Sequence, residues 1–118
     1  MFTGSHVILY SPDAEADRAF IQDVLGFGSV DAGGGWLIFK LPPAELAFHP
    51  ADGEPHQELY LMCEDIDALL DQLESRGVAV SREVTEARWG RLAAIPLPSG
   101  GTLGVYQPLH PTAYDLPN

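Results

Sequence analysis

Apolar residues in this chain fall into short runs of two different periods, with glycine and proline as punctuation. His6 to Tyr10 is apolar almost throughout and predicts a strand. Ser11-Pro12-Asp13 follows as a helix start, with Ser11 or Asp13 as N-cap. Ala16, Phe20, Val24 and Phe27 then recur at helical spacing, which predicts a helix over 14–25 that Gly26 ends. Two strands, about 28–32 and 36–41, flank the Gly33-Gly34-Gly35 turn. After Pro42-Pro43 a further short strand is expected over 45–49, and Asp52-Gly53-Glu54-Pro55 reads as a linker.

The same order then returns. Residues 58–63 predict a strand, and Asp65 caps a helix whose Ile66, Leu69, Leu70 and Leu73 form an i, i+3, i+4, i+7 stripe. Gly77 ends it, and strands are predicted over 78–82, 91–97 and 102–107, the last two joined by a turn at Ser99-Gly100-Gly101. Landmarks correspond between the halves: Gly26 with Gly77, Leu41-Pro42 with Leu97-Pro98, Pro50 with Pro108. Three matches in one order around matching helices indicate a duplicated unit. The expected fold is α+β, a single domain over 1–118 made of two tandem βαβββ modules, about 5–50 and 56–108. Their curved mixed sheets would surround a groove, with the helices outside. The proline-rich tail, 109–118, is expected to pack loosely.

Composition narrows the function. Of the 118 residues, 17 are acidic and 6 basic, for a formal charge of −11. That balance argues against nucleic acid and against anionic membrane surfaces, both of which select basic patches. No apolar run is long enough to span a bilayer, and Met1-Phe2-Thr3-Gly4 lacks the basic and apolar pattern of a secretory signal. A single cysteine, Cys63, forms no internal disulfide and fits a reducing, cytoplasmic setting. By alternation Cys63 faces the helices as a buried, inert thiol. The triple-glycine run is followed by neither a helix nor a Lys-Ser/Thr pair, so it is a turn and not a phosphate loop.

The stretch Phe20-Ile21-Gln22-Asp23-Val24-Leu25-Gly26-Phe27 resembles the FYxxVLGF signature of the vicinal oxygen chelate superfamily, which includes glyoxalase I, extradiol dioxygenases, fosfomycin-resistance transferases and bleomycin-binding proteins. Ile21 stands where tyrosine is usual. His6, Asp13, the run from Cys63 to Asp67, and the closing Leu97 to Pro108 extend the resemblance to nearly the whole chain. It implies the duplicated fold. For the metal enzymes of the family it also implies a divalent ion (Ni, Zn, Fe or Mn) held by His and Glu on four strands. Carried over by position, His6 matches the first ligand, although a partly exposed strand-start histidine is an equal reading. Glu58 falls at the fifth-strand position, with His56 one step away should the register slip. Ala47 falls at the fourth, flanked on the same face by Glu45 and His49. The eighth, where the enzymes carry glutamate, is Gly104, which has no donor atom and is expected to leave a gap.

Two positions of four do not make a stable catalytic site, which usually has three protein ligands. The reading therefore favours a binding protein without a cofactor, its groove lined by Tyr10, Tyr60, Tyr106, Trp36, Trp89 and Arg91 and suited to a small aromatic or cationic molecule. Arg91 would anchor a carboxylate there, although a surface arginine among acids is the plainer reading. The alternative is a lyase or dioxygenase of the glyoxalase or extradiol type whose metal set is drawn from His6, His49, His56 and Glu58. A homodimer is the oligomer that the resemblance implies.

Overall fold

The second half of the chain forms its module completely. Its strand Tyr60–Met62 leads into a helix, Ile66–Ser75, and three further strands follow at Thr85–Ala87, Gly90–Pro96 and Thr102–Pro108. The first half contributes a helix, Ala14–Phe20, and a hairpin of Ser29–Asp31 with Leu37–Phe39. In chain order these elements are α1 (Ala14–Phe20), β1 (Ser29–Asp31), β2 (Leu37–Phe39), β3 (Tyr60–Met62), α2 (Ile66–Ser75), β4 (Thr85–Ala87), β5 (Gly90–Pro96) and β6 (Thr102–Pro108). This is a computed structural model and it describes residues 1–117. The architecture is α+β as expected, with two open sheets. One is the β1–β2 pair, and the other has the order β3-β6-β5-β4, with β3 parallel to β6 and the other neighbours antiparallel. Among the described residues no helix is long and apolar enough to cross a membrane.

Each helix begins where a carboxylate takes up free N–H groups. Asp65 accepts from the backbone of Asp67 and Ala68 at 3.1 and 3.2 Å, and Asp13 accepts from Ala16 at 3.1 Å. The side-chain carbonyl of Gln107, at the end of β6, adds a bond at 3.0 Å from the Ile66 N–H and so fixes α2 to the sheet. Gly26 and Gly77 take positive φ of 74° and 84° at the two helix ends, the conformation that lets a chain leave a helix sharply and that glycine adopts without steric cost. Beyond Phe20, α1 continues as a π-helical turn over Ile21–Leu25. Phe20, Ile21, Val24 and Leu25 pack against the core, so Phe20 and Val24 of the predicted stripe are joined by Ile21 and Leu25 in place of Ala16 and Phe27.

Alternation along the strands divides the four-stranded sheet into two faces. Leu103 and Val105 of β6, paired with Ile95 and Ala93 of β5, face the helices. There they meet Ile66, Leu73 and Val78, and α1 lays Phe20, Ile21, Val24 and Leu25 on the same cluster. The opposite face carries Tyr60, Leu92, Ala94, Gly104 and Tyr106. Both helices thus lie on one side and leave the other side open.

Three predicted strands do not form. Residues 6–10 and 45–49 have no neighbouring strand and remain outside any ladder, so neither gains the hydrogen bonds that define a strand. Val78 and Val80 pack on the core, but residues 78–82 turn locally, with Val80 N–H bonded to the Val78 carbonyl at 3.0 Å. The ladder starts later, at β4, which pairs with Gly90–Leu92. The tail is more ordered than its prolines suggested: Ala113 N–H bonds Glu45 at 2.8 Å. Asn118, the last residue of the predicted tail, lies outside the described residues.

A polar junction at Asp17 helps tie the halves together. Asp17 of α1 accepts from Ser99 N–H at 3.1 Å and Ser99 Oγ at 2.7 Å, and from Ser11 Oγ at 2.7 Å. Burial alone would raise its pKa, but these three donors outweigh burial and hold the carboxyl below its ordinary value. A carboxyl that titrates lower in the folded state stabilises it above the unfolded-state pKa, and that contribution disappears as the pH falls through the folded-state value. Asp17→Asn is therefore expected to lower stability at pH 7 and to approach wild type in urea melts below the ordinary carboxylate range. A deficit that stays constant with pH would refute the role of the charge.

Candidate functional site

The open face of the sheet forms a shallow hollow of about 440 Å³, lined by Glu58, Tyr60, Thr85, Leu92, Thr102 and Gly104 among others. Tyr60 and Tyr106 share this face because each pairs with an inward residue of the adjoining strand: Tyr60 with Gly104, and Tyr106 with Leu92 and Met62. Their rings meet edge to face, with centroids 5.8 Å apart at 87°. Trp89 continues the row, 5.5 Å from Tyr106 at 76°. Beyond it lies a second hollow of about 370 Å³, bounded by Arg88, Trp89, Leu109 and His110.

Two glycines seat the two tyrosines. A Cβ on residue 104 would lie 2.7 Å from Tyr60 Cδ1, 2.8 Å from Tyr60 Cε1 and 3.2 Å from the Leu59 carbonyl oxygen. A Cβ on residue 90 would lie 2.8 Å from Tyr106 Cδ2 and 2.8 Å from the Gln107 carbonyl oxygen. The expected gap at Gly104 is therefore absent, because the ring of Tyr60 fills it.

Each phenol lies beside an acid. Tyr60 O–H donates to Glu58 at 2.6 Å, and this bond, with burial and the carboxylate charge, raises its pKa. Tyr106 Oη lies 2.9 Å from His110 Nε2 and 3.4 Å from Glu45 Oε2, and its pKa is raised by burial first and then by Glu45. His110 Nδ1 sits 2.7 Å from the Pro111 carbonyl, which can only accept. Nδ1 therefore carries the hydrogen, and in the neutral ring Nε2 takes the single Tyr106 hydrogen over the shorter distance, so Glu45 then receives none from this phenol. The sequence reading assigned His110 to a loose tail. Its signal was the continued alternation from Tyr106, through 108, to 110.

The other expected groove residues lie elsewhere. Tyr10 is 93% exposed, on a segment without a neighbouring strand. Trp36 packs under the Arg18 guanidinium, 4.4 Å from the ring centroid, beside the first-half hairpin. Arg91 is already engaged: its Nε donates to Glu86 at 2.9 Å and a terminal nitrogen to Asp67 at 3.1 Å. Those two carboxylates raise its pKa further and occupy the fork that a ligand carboxylate would need. Cys63 sits where expected, packed against the core with Sγ 3.7 Å from the Tyr106 carbonyl, and burial pushes its thiol pKa up.

The residues expected to hold a metal do not converge in this arrangement. His56 Nε2 lies 3.7 Å from Glu58, but His49 stands by Trp89 with ring centroids 6.0 Å apart, and His6 is exposed on the unpaired first segment. Among the described residues no three His, Cys, Asp or Glu side chains come close enough to hold an ion.

The fold is α+β with two open sheets, and the open side of the larger one carries Tyr60 and Tyr106, with Trp89 beside them. Residues 4–105 match the Glyoxalase/Bleomycin resistance protein/Dioxygenase superfamily, and the chain belongs to it. Solved structures share the fold. Lactoylglutathione lyase from Agrobacterium tumefaciens superposes with a TM-score of 0.63 at 20% identity, covering 89% of this chain and 92% of that one. TnmS3, an antibiotic binding protein from Streptomyces sp. CB03234, gives 0.59 at 29% identity, covering 92% and 99%. A glyoxalase/bleomycin resistance protein/dioxygenase from Nocardioides gives 0.57 at 17% identity, covering 98% and 93%. No curated protein sequence matches the chain.

The glycine seat can be tested by a double-mutant cycle. Gly104→Ala is expected to cost about 1–3 kcal/mol by forcing the Tyr60 ring aside, and much less in a Tyr60→Ala background. Equal costs in both backgrounds, read from urea denaturation, would show that the ring does not depend on the glycine.

Proposed function

We propose that this protein binds a small, flat, cationic organic molecule on the open face of its sheet, without a resident metal. The observation that carries the reading is the row Tyr60–Tyr106–Trp89 with carboxylates at its edge. Aromatic rings attract cations through their negative faces, and Glu58 and Glu45 add charge of the matching sign. Trp89 keeps 39% of its surface exposed, which leaves it available for stacking. The net charge of −11 favours the approach of a cation over an anion. The likeness at 29% identity to TnmS3, an antibiotic binding protein, supports binding of an organic compound over its turnover.

Recognition on this reading has two parts. Burial of a flat ring system against Tyr106 and Trp89 supplies most of the free energy, and Glu58 and Glu45 set the sign of the charge accepted. Both phenols have raised pKa values, so they remain neutral at physiological pH and add no charge of their own.

N-methylacridinium is a suitable probe, with anthracene-9-carboxylate as its anionic counterpart. In a Trp36→Phe protein, Trp89 is the remaining tryptophan of the two, and its fluorescence reports occupancy. The cation is expected to quench it saturably, to bind about tenfold or more tighter than the anion, and to lose about tenfold in affinity in Trp89→Ala. Equal binding of both probes, or no saturation by the cation, would refute the reading. Elemental analysis of protein purified without chelators tests the metal arm. Stoichiometric Ni, Zn, Fe or Mn that is lost in His6→Ala would instead establish the enzyme alternative.

A further inference from the structure

Charge is unevenly distributed along the aromatic row. Tyr60 stands at one end, Tyr106 in the middle and Trp89 at the other end, with ring centroids 5.8 and 5.5 Å apart at the two steps. The hollow at the Tyr60 end has Glu58 and Glu83 in its lining, together with Thr85 and Thr102. Neither glutamate is paired with a lysine or an arginine among the described residues. Glu58 takes the Tyr60 O–H at 2.6 Å and has His56 at 3.7 Å. The Trp89 end has the opposite character. Its hollow of about 370 Å³ is lined by Arg88, Trp89, Leu109 and His110, and His49 lies beside the indole.

The backbone fixes this basic end. Ala87 pairs with Gly90, so Arg88 and Trp89 are the two central residues of the tight turn between β4 and β5. The Leu109 N–H bonds the Trp89 carbonyl at 2.8 Å, which fastens the turn to the chain leaving β6. The guanidinium and the indole thus border one hollow from adjacent positions of one short turn.

Arg88 differs from the other arginines. Arg82 is bridged to Asp71 and Glu74, and Arg91 to Asp67 and Glu86. Arg76 donates to the Val24 carbonyl, and Arg18 covers Trp36. Among the described residues the Arg88 guanidinium has neither a hydrogen bond nor an ion pair, although the chain holds 17 acids. Lys40 shares that freedom, but it follows β2 in the first-half hairpin. A protein of charge −11 repels anions over most of its surface, so an anion is accepted where an unengaged base offsets that field. The planar fork of an arginine matches a carboxylate with two parallel hydrogen bonds. His110 does not compete for this role, because Nδ1 serves the Pro111 carbonyl and Nε2 serves Tyr106. The acid at this end is Glu45, 3.8 Å from His110 Nε2; the Ala113 N–H takes its Oε1 at 2.8 Å, and it forms no pair with Arg88.

We propose that Arg88 takes a carboxylate in this hollow, so that the ligand is a zwitterion lying in one direction along the row. Its flat rings cover Tyr106 and Trp89, its cationic edge faces Glu58 and Glu83, and its carboxylate arm reaches Arg88. The reversed orientation sets carboxylate against carboxylate, so the charges choose the direction as well as the ligand. The zwitterion rests on the ligand reading above; the carboxylate site does not.

The test compares N-methylacridinium carrying a 3-carboxypropyl arm at carbon 9, on the edge opposite the charged nitrogen, with the same compound as its amide. Quenching of Trp89 in the Trp36→Phe protein reads both. The carboxylate is expected to bind about fivefold tighter than the amide. In Arg88→Gln that ratio is expected to fall below about twofold. In Lys40→Gln, which removes the same charge elsewhere, it is expected to stay at about fivefold. Both residues are exposed, so circular dichroism of the two variants should match wild type. No advantage of the carboxylate in wild type, an advantage that survives Arg88→Gln, or an equal loss in Lys40→Gln would overturn the carboxylate site. The pair 4-(anthracen-9-yl)butanoate and its amide repeats the comparison without the cation. If the acridinium compounds fail to bind while the butanoate keeps an advantage that depends on Arg88, the cationic reading falls and the carboxylate site stands. If the acridinium amide binds and the carboxylate adds nothing, the site falls and the cationic reading stands. No saturable binding by any of the four compounds would overturn both.

Discussion

The first half of this molecule has no interior of its own. Among the described residues, every fully buried one lies between Ile66 and Val105, and neither α1 nor the β1–β2 hairpin buries a side chain completely. What order the first half has comes from laying Phe20, Ile21, Val24 and Leu25 on a core that the second half builds. The Asp17–Ser99 junction and the bond from Arg76 to the Val24 carbonyl, at 2.7 Å, then fix the angle at which it lies there. Hydrophobic contact is non-directional and sets only that the helix docks; the carboxylate and the guanidinium set how.

That dependence explains which parts of the molecule were legible in the sequence. Helix boundaries were readable because caps are local: Asp13, Gly26, Asp65 and Gly77 act on their own turns. The β5–β6 hairpin was readable for the same reason, since Ser99-Gly100-Gly101 closes it. Strands at 6–10 and 45–49 were called from composition, but a strand is a relation between two segments, and composition does not say whether the second is present. The π-helical turn at Ile21–Leu25 has no residue that marks it in the sequence.

The site shows the same division. Alternation predicts Tyr106 and Gly104 on one face, and the register Tyr60↔Gly104 puts Tyr60 beside them. Glycine 104 was read from what it lacks, a donor atom, when its role is to admit a ring. Only the register Tyr60↔Gly104, a contact between residues far apart in the chain, reveals this. His110 and Glu45 meet across a still larger separation through Tyr106, and no local pattern joins them. Arg91 had the correct chemistry for an anion, but its partners, Asp67 and Glu86, come from two other elements and leave it no free donor pair on either side.

The glycine seat also constrains how such a groove can change. The resemblance implies a carboxylate at this position in the family's metal enzymes, and here the space beside Gly104 is held by the ring of Tyr60. The two states exclude each other sterically. A side chain added at 104 collides with the ring, and removal of the ring alone exposes bare backbone with nothing to coordinate. A lineage moving between binding and metal chemistry through this position must therefore alter residues 60 and 104 together or cross an intermediate poorer than either end. Within a fold that carries both, the pair works as a coupled character: one position can be read correctly only with the other in view.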